Sequence, residues 1–547
     1  MFELAIKFNG KQQEDTMAAT PANSLTLISS GLADARLQTT RGQPDINQFV
    51  KVLKKTTRWS AQWCRVEFDG SPEFGQRVSM TLPRIGELVS GFTLAVTMPD
   101  IYTTQLNAIK AAGGTSLDNP GNFLGPVYGW TNSLGHALIQ QIQLEIGGAI
   151  VETFDSLQLE MLDELYETIE SAQSKNAMIK RAPHGFSAKT WLTKQPLQVY
   201  IPIPFWFSRP NVYQYALPIE ALKQDMVRIH VTFRPINQLF YTDARVDARM
   251  PGYNPAINTP CGMWSLQNGQ FWQANPEAPT KVYCMNITTP PQGISGELIP
   301  NIVFPQRFSP VDAYALIEYI SLEEYEAMAL RTAELTYHVE QHQAVAPQAT
   351  LGQTEFRLAV PYSNPTKEIM WVVQRPEAAT YNAWFLFTRD LSPTLPPNVP
   401  VNPCSIPWWP DAYLVPTQAN NWQIQPAFQQ SYSEPLQGAT LLYNAYDRFV
   451  HEGGSFFRSF IPAKYYVKSA VHDRYVYAYN FGQKAEFGKY GPSGQANWDK
   501  IARKELFVTL TRGRCNTPPP NYTIYIYVTL WNVFKVFGGR GGMLFTN

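Results

Sequence analysis

The chain has 547 residues, more than one hydrophobic core usually serves, so at least two cores are expected. Lys plus Arg equals Asp plus Glu at 44 each, and a formal net charge of zero argues against a chain that coats nucleic acid by neutralising phosphates. Five scattered cysteines (Cys64, Cys261, Cys284, Cys404, Cys515), with no C-x-x-C pair, exclude a disulfide framework or a zinc ribbon and are read as free thiols.

The first twenty residues carry Lys7, Lys11, Glu14 and Asp15 and no apolar core, so no signal peptide is expected, and the protein is expected in the cytosol. Residues 1–56, with a basic cluster at Lys51, Lys54 and Lys55, read as an extended arm outside the first core. From Trp59 onward the pattern changes. Gln62 to Phe68 alternates with period two, as a half-buried strand does, and Val78–Leu82 and Gly91–Met98 repeat the pattern. A loop rich in Gly, Asn and Pro follows at 113–129. His136–Glu152 reads as a long strand pair broken at Gly147-Gly148.

Asp155–Lys180 has apolar residues at helical spacing, with Lys175, Lys180 and Arg181 at its C-terminal end, where cations are favourable. One helix is expected there. Its acids Glu160, Asp163, Glu164, Glu167 and Glu170 are expected on a solvated face with no catalytic role. Strands are expected again at Gln198–Phe207, Met226–Phe233 and Ala313–Leu322. Between the last two, Pro235–Pro310 reads as an elaborated surface loop with some structure of its own. Glu323–Arg331 reads as a short helical bridge.

The second half repeats the rhythm, with strands expected at 333–343, 355–360, 367–375, 383–388, 439–443, 475–480, 505–511 and 522–537. A second long loop, Asp390–Pro435, carries ten prolines and the Trp408-Trp409 pair. Each half therefore offers seven or eight short strands, one decorated loop and little helix. The expected class is mainly β: two tandem eight-stranded antiparallel jelly rolls with long loops and a few short helices. The domains are the arm at 1–56, a first roll at 57–328 with its loop at about 235–310, and a second roll at 329–547 with its loop at about 390–435.

Features that could carry chemistry read as structural. His338 and His342 flank Glu340 in a predicted strand, but they match neither H-E-x-x-H nor its inverse. Gly491-Pro492-Ser493-Gly494 is read as a turn rather than a nucleophile elbow, and Gly538 to Gly542 as a tight strand connection rather than a phosphate cradle. The sequons at Asn286 and Asn521 are read as chance matches. Trp408-Trp409 reads as loop packing or interface, with host-surface recognition as the alternative.

Five segments in register with these strands resemble the double jelly-roll major capsid proteins of nucleo-cytoplasmic large DNA viruses. They are Arg84-Ile85-Gly86-Glu87-Leu88; Ile142 to Gly148 with the helix after it; Pro204-Phe205-Trp206-Phe207 followed by Ala216-Leu217-Pro218 and Val227-Arg228-Ile229; Ile317 to Glu324; and Asn444, Asp447-Arg448-Phe449, Phe456-Phe457-Arg458, Tyr475 to Tyr479, Pro492 to Gly494 and Asn497. Glu87 stands where the family has Asp, and Trp498 where it has Phe.

The resemblance implies a non-enzymatic capsid subunit of a large double-stranded DNA virus. It implies a homotrimer whose six rolls form a pseudo-hexagonal capsomer of an icosahedral shell. Implied partners are neighbouring capsomers, penton and minor capsid proteins, and an inner membrane or scaffold, with no sequence-specific nucleic acid. Catalytic, cofactor-binding and metal residues are expected to be none, and synthesis and assembly are expected in the host cytoplasm. The competing reading is a β-sandwich receptor- or glycan-binding surface protein.

Overall fold

The computed structural model describes residues 59–100, 127–181, 197–208, 215–243, 308–376, 384–389, 434–449, 451–470, 474–482, 494–512 and 521–545, with isolated residues and short strand fragments between them. The first roll contains β1 (Trp59–Glu67), β2 (Arg77–Thr81), β3 (Leu88–Met98), β4 (Ile139–Ile146), β5 (Ala149–Asp155), β6 (Leu197–Pro202), β7 (Val227–Phe233) and β8 (Asp312–Leu322). The second contains β9 (Leu335–Ala349), β10 (Glu355–Ala359), β11 (Pro365–Gln374), β12 (Leu436–Tyr443), β13 (Tyr446–Asp447), β14 (Val476–Asn480), β15 (Lys504–Leu510) and β16 (Thr523–Phe537). A terminal strand, β17 (Arg540–Met543), folds back on β16.

The topology is the same in both halves. One sheet of the first roll runs β1-β8-β3-β6 and the other β2-β7-β4-β5. The second roll gives β9-β16-β11-β14 and β10-β15-β12-β13, the same orders with eight added to each number. Two four-stranded antiparallel sheets in this order form a jelly roll. Among the described residues, strands before Glu324 pair only with one another, as do those after Thr332.

Local pattern accounts for the pairing. Val227–Phe233 buries Val227, Ile229, Val231 and Phe233 and leaves alternate positions more exposed, so a slip of one residue would turn the apolar set to the wrong face. Tight turns hold other registers. Gly147 and Gly148 have φ of +60° and +87°, and Asn444 and Ala445 have +51° and +71°, so both rolls join their fourth and fifth strands through two left-handed residues. In the first roll's glycine-rich segment, a Cβ on Gly86 would lie 3.0 Å from the Ile320 carbonyl oxygen, which explains a residue without one.

Most strands fall within a few residues of the positions expected from periodicity, and four expectations are corrected. His136 lies in a short buried helix, α1 (Leu134–Leu138), and the strand begins only at Ile139. The single helix over Asp155–Lys180 is two, α2 (Ser156–Tyr166) and α3 (Ile169–Ile179), divided where Thr168 caps the second by accepting a hydrogen bond from Ser171 N. Residues 384–389 form a buried turn rather than a strand, and the first roll's sixth strand ends at Pro202, leaving 203–207 buried but irregular.

The bridge is α4 (Glu324–Thr332). The loop at 235–310 does carry structure, including the strands Phe240–Asp243, Gly262–Gln267 and Gln270–Gln273. The arm at 1–56, most of the 113–129 loop, Trp408-Trp409, the Asn286 sequon, Pro492-Ser493 and the side chains of Cys261, Cys284, Cys404 and Cys515 lie outside the described residues.

Candidate functional interface: the seam between the two rolls

One continuous apolar cluster runs through both rolls, so the boundary between them is itself core. On the second roll's side, β11 is buried at every position from Thr366 to Gln374. A strand with one wet face would alternate. This one is covered on both faces, by its own second sheet and by the first roll.

The covering elements are β5 and α2, which follow each other in the chain. Asp155 caps α2 by accepting from Gln158 N at 2.7 Å, and its other oxygen accepts from the Tyr527 hydroxyl at 2.6 Å. At the far end of α2, the Tyr166 hydroxyl donates to Glu368 at 2.6 Å, and Thr529 donates to the same carboxylate at 2.8 Å. His342 Nδ1 lies 2.9 Å from Glu152 Oε1, and Gln341 Nε2 donates to the Val151 carbonyl at 2.9 Å. The Arg234 guanidinium stacks 3.6 Å over the Trp384 ring, whose indole N–H donates to the Gln238 carbonyl at 2.8 Å. Trp206 packs against Phe534 across the same boundary, with ring centroids 5.5 Å apart.

The acids of α2 are not solvated, which overturns the expectation for its outer face. Glu160, Asp163 and Glu164 are all buried. Arg181 holds Glu160 through Nη2 at 2.6 Å and Nε at 3.0 Å and also pairs with Asp163. Arg474, from the second roll, pairs with Glu160 and lies 3.3 Å from Glu164. Lys175 bridges Asp163 and Glu167, and Lys468 stands 4.0 Å from Glu164. Glu167 is half-buried, and of the five acids only Glu170 is exposed.

The physical effects on titration follow from this enclosure. Burial opposes ionisation of Asp163, yet the Arg181 guanidinium and the Lys175 ammonium outweigh it and hold the carboxyl well below the usual range. Burial drives His136 well below an ordinary imidazole; Asp163 opposes the shift, and the cations Arg181, Lys175 and Arg474 add to it. The neutral ring stands 2.5 Å from Glu160. Burial raises the Tyr166 and Tyr527 hydroxyls well above their usual range, and the adjoining Glu368 and Asp155 charges add to it, so both remain protonated donors. Glu160, Asp163 and Glu368 are enclosed, and each of them, like Asp155, is held by at least one cation or hydrogen-bond donor. Such a network locks geometry.

The remaining sequence candidates also have structural settings. His338 and His342 both lie in β9, His338 exposed and His342 buried against Glu152. Among the described residues no group of three or more His, Cys, Asp or Glu side chains could hold a metal ion. Gly538 and Gly539, at φ +59° and +83°, make the turn between β16 and β17. That turn meets the first roll: Gln224 N donates to the Gly539 carbonyl and Gly541 N to Asp225, each at 2.9 Å. Glu87 accepts from Leu322 N at 2.9 Å, and Trp498 uses its indole N–H, which Phe would lack, to bond the Tyr443 hydroxyl at 2.8 Å.

Two jelly rolls of one strand order, joined through a buried seam, define a double jelly-roll protein. Comparison with known proteins narrows the class. Residues 47–264 match the family described as major capsid protein N-terminus, and residues 326–542 that described as large eukaryotic DNA virus major capsid protein. The major capsid protein of Chrysochromulina ericina virus is 22% identical, over 96% of this chain and 99% of that one. That of Paramecium bursaria Chlorella virus 1 is 22% identical, over 95% of this chain and 98% of that one.

Among solved structures, a quasi-atomic model of the PBCV-1 virus capsid superposes with a TM-score of 0.59 at 17% identity, covering 92% of this chain and all of that one. The Faustovirus major capsid protein superposes with a TM-score of 0.57 at 11% identity, covering 90% of this chain and 93% of that one. The chain belongs to the major capsid proteins of large eukaryotic DNA viruses, a structural component of the virion capsid.

Proposed function

We propose that three copies of this chain close into a pseudo-hexagonal capsomer, and that these capsomers tile an icosahedral shell. The observation that carries the reading is the repeated strand order across a polar-laced, fully buried seam. It makes one chain a rigid two-lobed unit, and three such units in a closed ring present six similar lobes. A sandwich wall with few open edges resists both deformation and non-specific strand pairing.

In this reading the domains are the arm at 1–56, the first roll at 57–328 and the second at 329–547, with α4 as the bridge between them. Neighbouring capsomers, penton and minor capsid proteins, and a membrane or scaffold beneath the shell are the partners. The protein would be made and assembled in the host cytoplasm, with no catalytic, metal or cofactor residue and no sequence-specific contact with nucleic acid. Size-exclusion chromatography with light scattering tests the core of this. A mass of three chains that survives dilution is expected, and a dilution-stable single chain would overturn it.

A further inference from the structure

Under the seam, the sheet β9-β16-β11-β14 holds a lysine and a glutamate in direct contact. Lys367 Nζ lies 2.7 Å from Glu340 Oε1, and the two side chains are only 4% and 2% exposed. Lys175 and Lys468, also paired at the seam, keep 22% and 10% of their side chains exposed. Arg181 and Arg474 are as deeply buried, but each carries a delocalised guanidinium in place of an amine nucleophile.

The backbone holds this pair in place across an intervening strand, since β16 lies between β9 and β11. Glu340 stands opposite Trp531 of β16. Lys367 is the extra residue of a bulge on β11, between Thr366 opposite Leu530 and Glu368 opposite Thr529. A bulge re-aims the side chain it inserts, and here the lysine reaches over β16 to Glu340. Its Nζ lies 6.0 Å from the centre of the Trp531 ring and 5.4 Å from that of Tyr166, which α2 of the first roll supplies. Both rings are themselves buried and wall the pair from water.

Two physical effects favour a further step. Enclosure strips both ions of their hydration, and their mutual attraction repays that cost only in part, whereas a neutral amide would remove both charges. Fixed contact supplies the rest. A nitrogen hydrogen-bonded to a carboxyl oxygen stands about 3–3.5 Å from the carboxyl carbon, the separation at which oriented groups reach effective molarities on the order of 10⁵ M or more.

We propose that Lys367 and Glu340 condense into an intramolecular isopeptide bond once the two rolls have closed over them. Lys367 first passes one ammonium proton to Glu340, giving the neutral amine and carboxylic acid that an enclosed site favours. The Nζ lone pair then adds to Cδ of Glu340. The tetrahedral carbon sheds its hydroxyl, which takes a second proton from the nitrogen and leaves as water. One C–N bond forms and one C–O bond breaks, with no oxidant, reductant or cofactor. The reaction happens once per chain, without turnover, and ties β9 to β11 over β16, so force across this sheet runs through a covalent link as well as hydrogen bonds. Both groups belong to one chain, and the proposal therefore stands apart from the three-copy reading.

Intact mass spectrometry of the denatured full-length chain, followed by tandem sequencing of its proteolytic peptides, tests the bond. The wild-type chain is expected to weigh one water less than its sequence requires and to yield a branched peptide joining Lys367 to Glu340. Lys367→Arg keeps a cation opposite Glu340 but no amine, and Glu340→Ala removes the acceptor; both are expected at full sequence mass. A wild-type chain at full mass, with Lys367 and Glu340 found only in linear peptides, overturns the proposal. So does a missing water that persists in Lys367→Arg, because it then lies elsewhere in the chain. The wild-type peptides decide the matter even where a variant folds poorly.

Discussion

Arg474 is the residue on which the electrostatics of the seam turns most sharply. Four acids (Glu160, Asp163, Glu164, Glu167) face four cations (Arg181, Arg474, Lys175, Lys468), and His136 beside them is neutral. Arg474→Met keeps the apolar stem and removes one positive charge, leaving Glu160 and Glu164 in a buried cluster with a net negative charge. Breaking a buried pair from one side costs about 3–5 kcal/mol, because the remaining charge can neither hydrate nor pair. With an unfolding entropy of about 2.1 cal/mol/K per residue, a cooperative unit of roughly 490 residues loses about 1 °C of melting temperature per kcal/mol, so a drop of about 3–5 °C is expected. Calorimetry at fixed protein concentration measures it, since assembly alone shifts apparent stability. The Arg474→Met/Glu160→Gln double variant restores charge balance and should cost less than the two single losses added together, by about 1–3 kcal/mol. An Arg474→Met melt within a degree of wild type, or strict additivity in the double variant, would refute the reasoning.

Three further predictions concern neighbouring features. Trp206→Ala removes a buried ring packed on Phe207 and Phe534 and should cost about 3–5 kcal/mol; a wild-type melt would place Trp206 outside the core. His136 is held neutral in the folded chain but protonates in the unfolded one, starting near its ordinary value of 6.5. Its contribution to stability is therefore present above that pH and is lost as the pH falls below it, and Asp163 adds a second loss in the same direction below about 3.8. His136→Gln should flatten the fall in melting temperature between pH 7 and 5, and an unchanged slope would rule His136 out. Gly147→Ala should destabilise more than Gly148→Ala, because both have positive φ but only the first would bring a Cβ to 2.6 Å from the Asp225 carboxyl carbon; equal losses in urea titrations would count against that contact.

Local alternation was enough to place most strands, since a half-buried strand writes its two faces into the chain, as Val227 to Phe233 does. The helix over 155–180 misled for a physical reason. Acids at helical spacing read as a wet face, and one of the partners that make their burial tolerable, Arg474, stands hundreds of residues away and on the other roll. No local signal carries that pairing. The seam itself did leave one trace: Ile369-Met370-Trp371-Val372-Val373 is apolar without interruption, where a strand with one wet face would alternate. Thr168 likewise offered a capping residue in the middle of the supposed single helix.

The central claim is a rigid two-lobed chain that assembles by threes. Electron microscopy of the purified protein tests it most directly. Class averages viewed down the particle axis should show a ring of six nearly equal lobes with threefold symmetry. Averages showing two lobes swinging independently, or particles without threefold order, would contradict it.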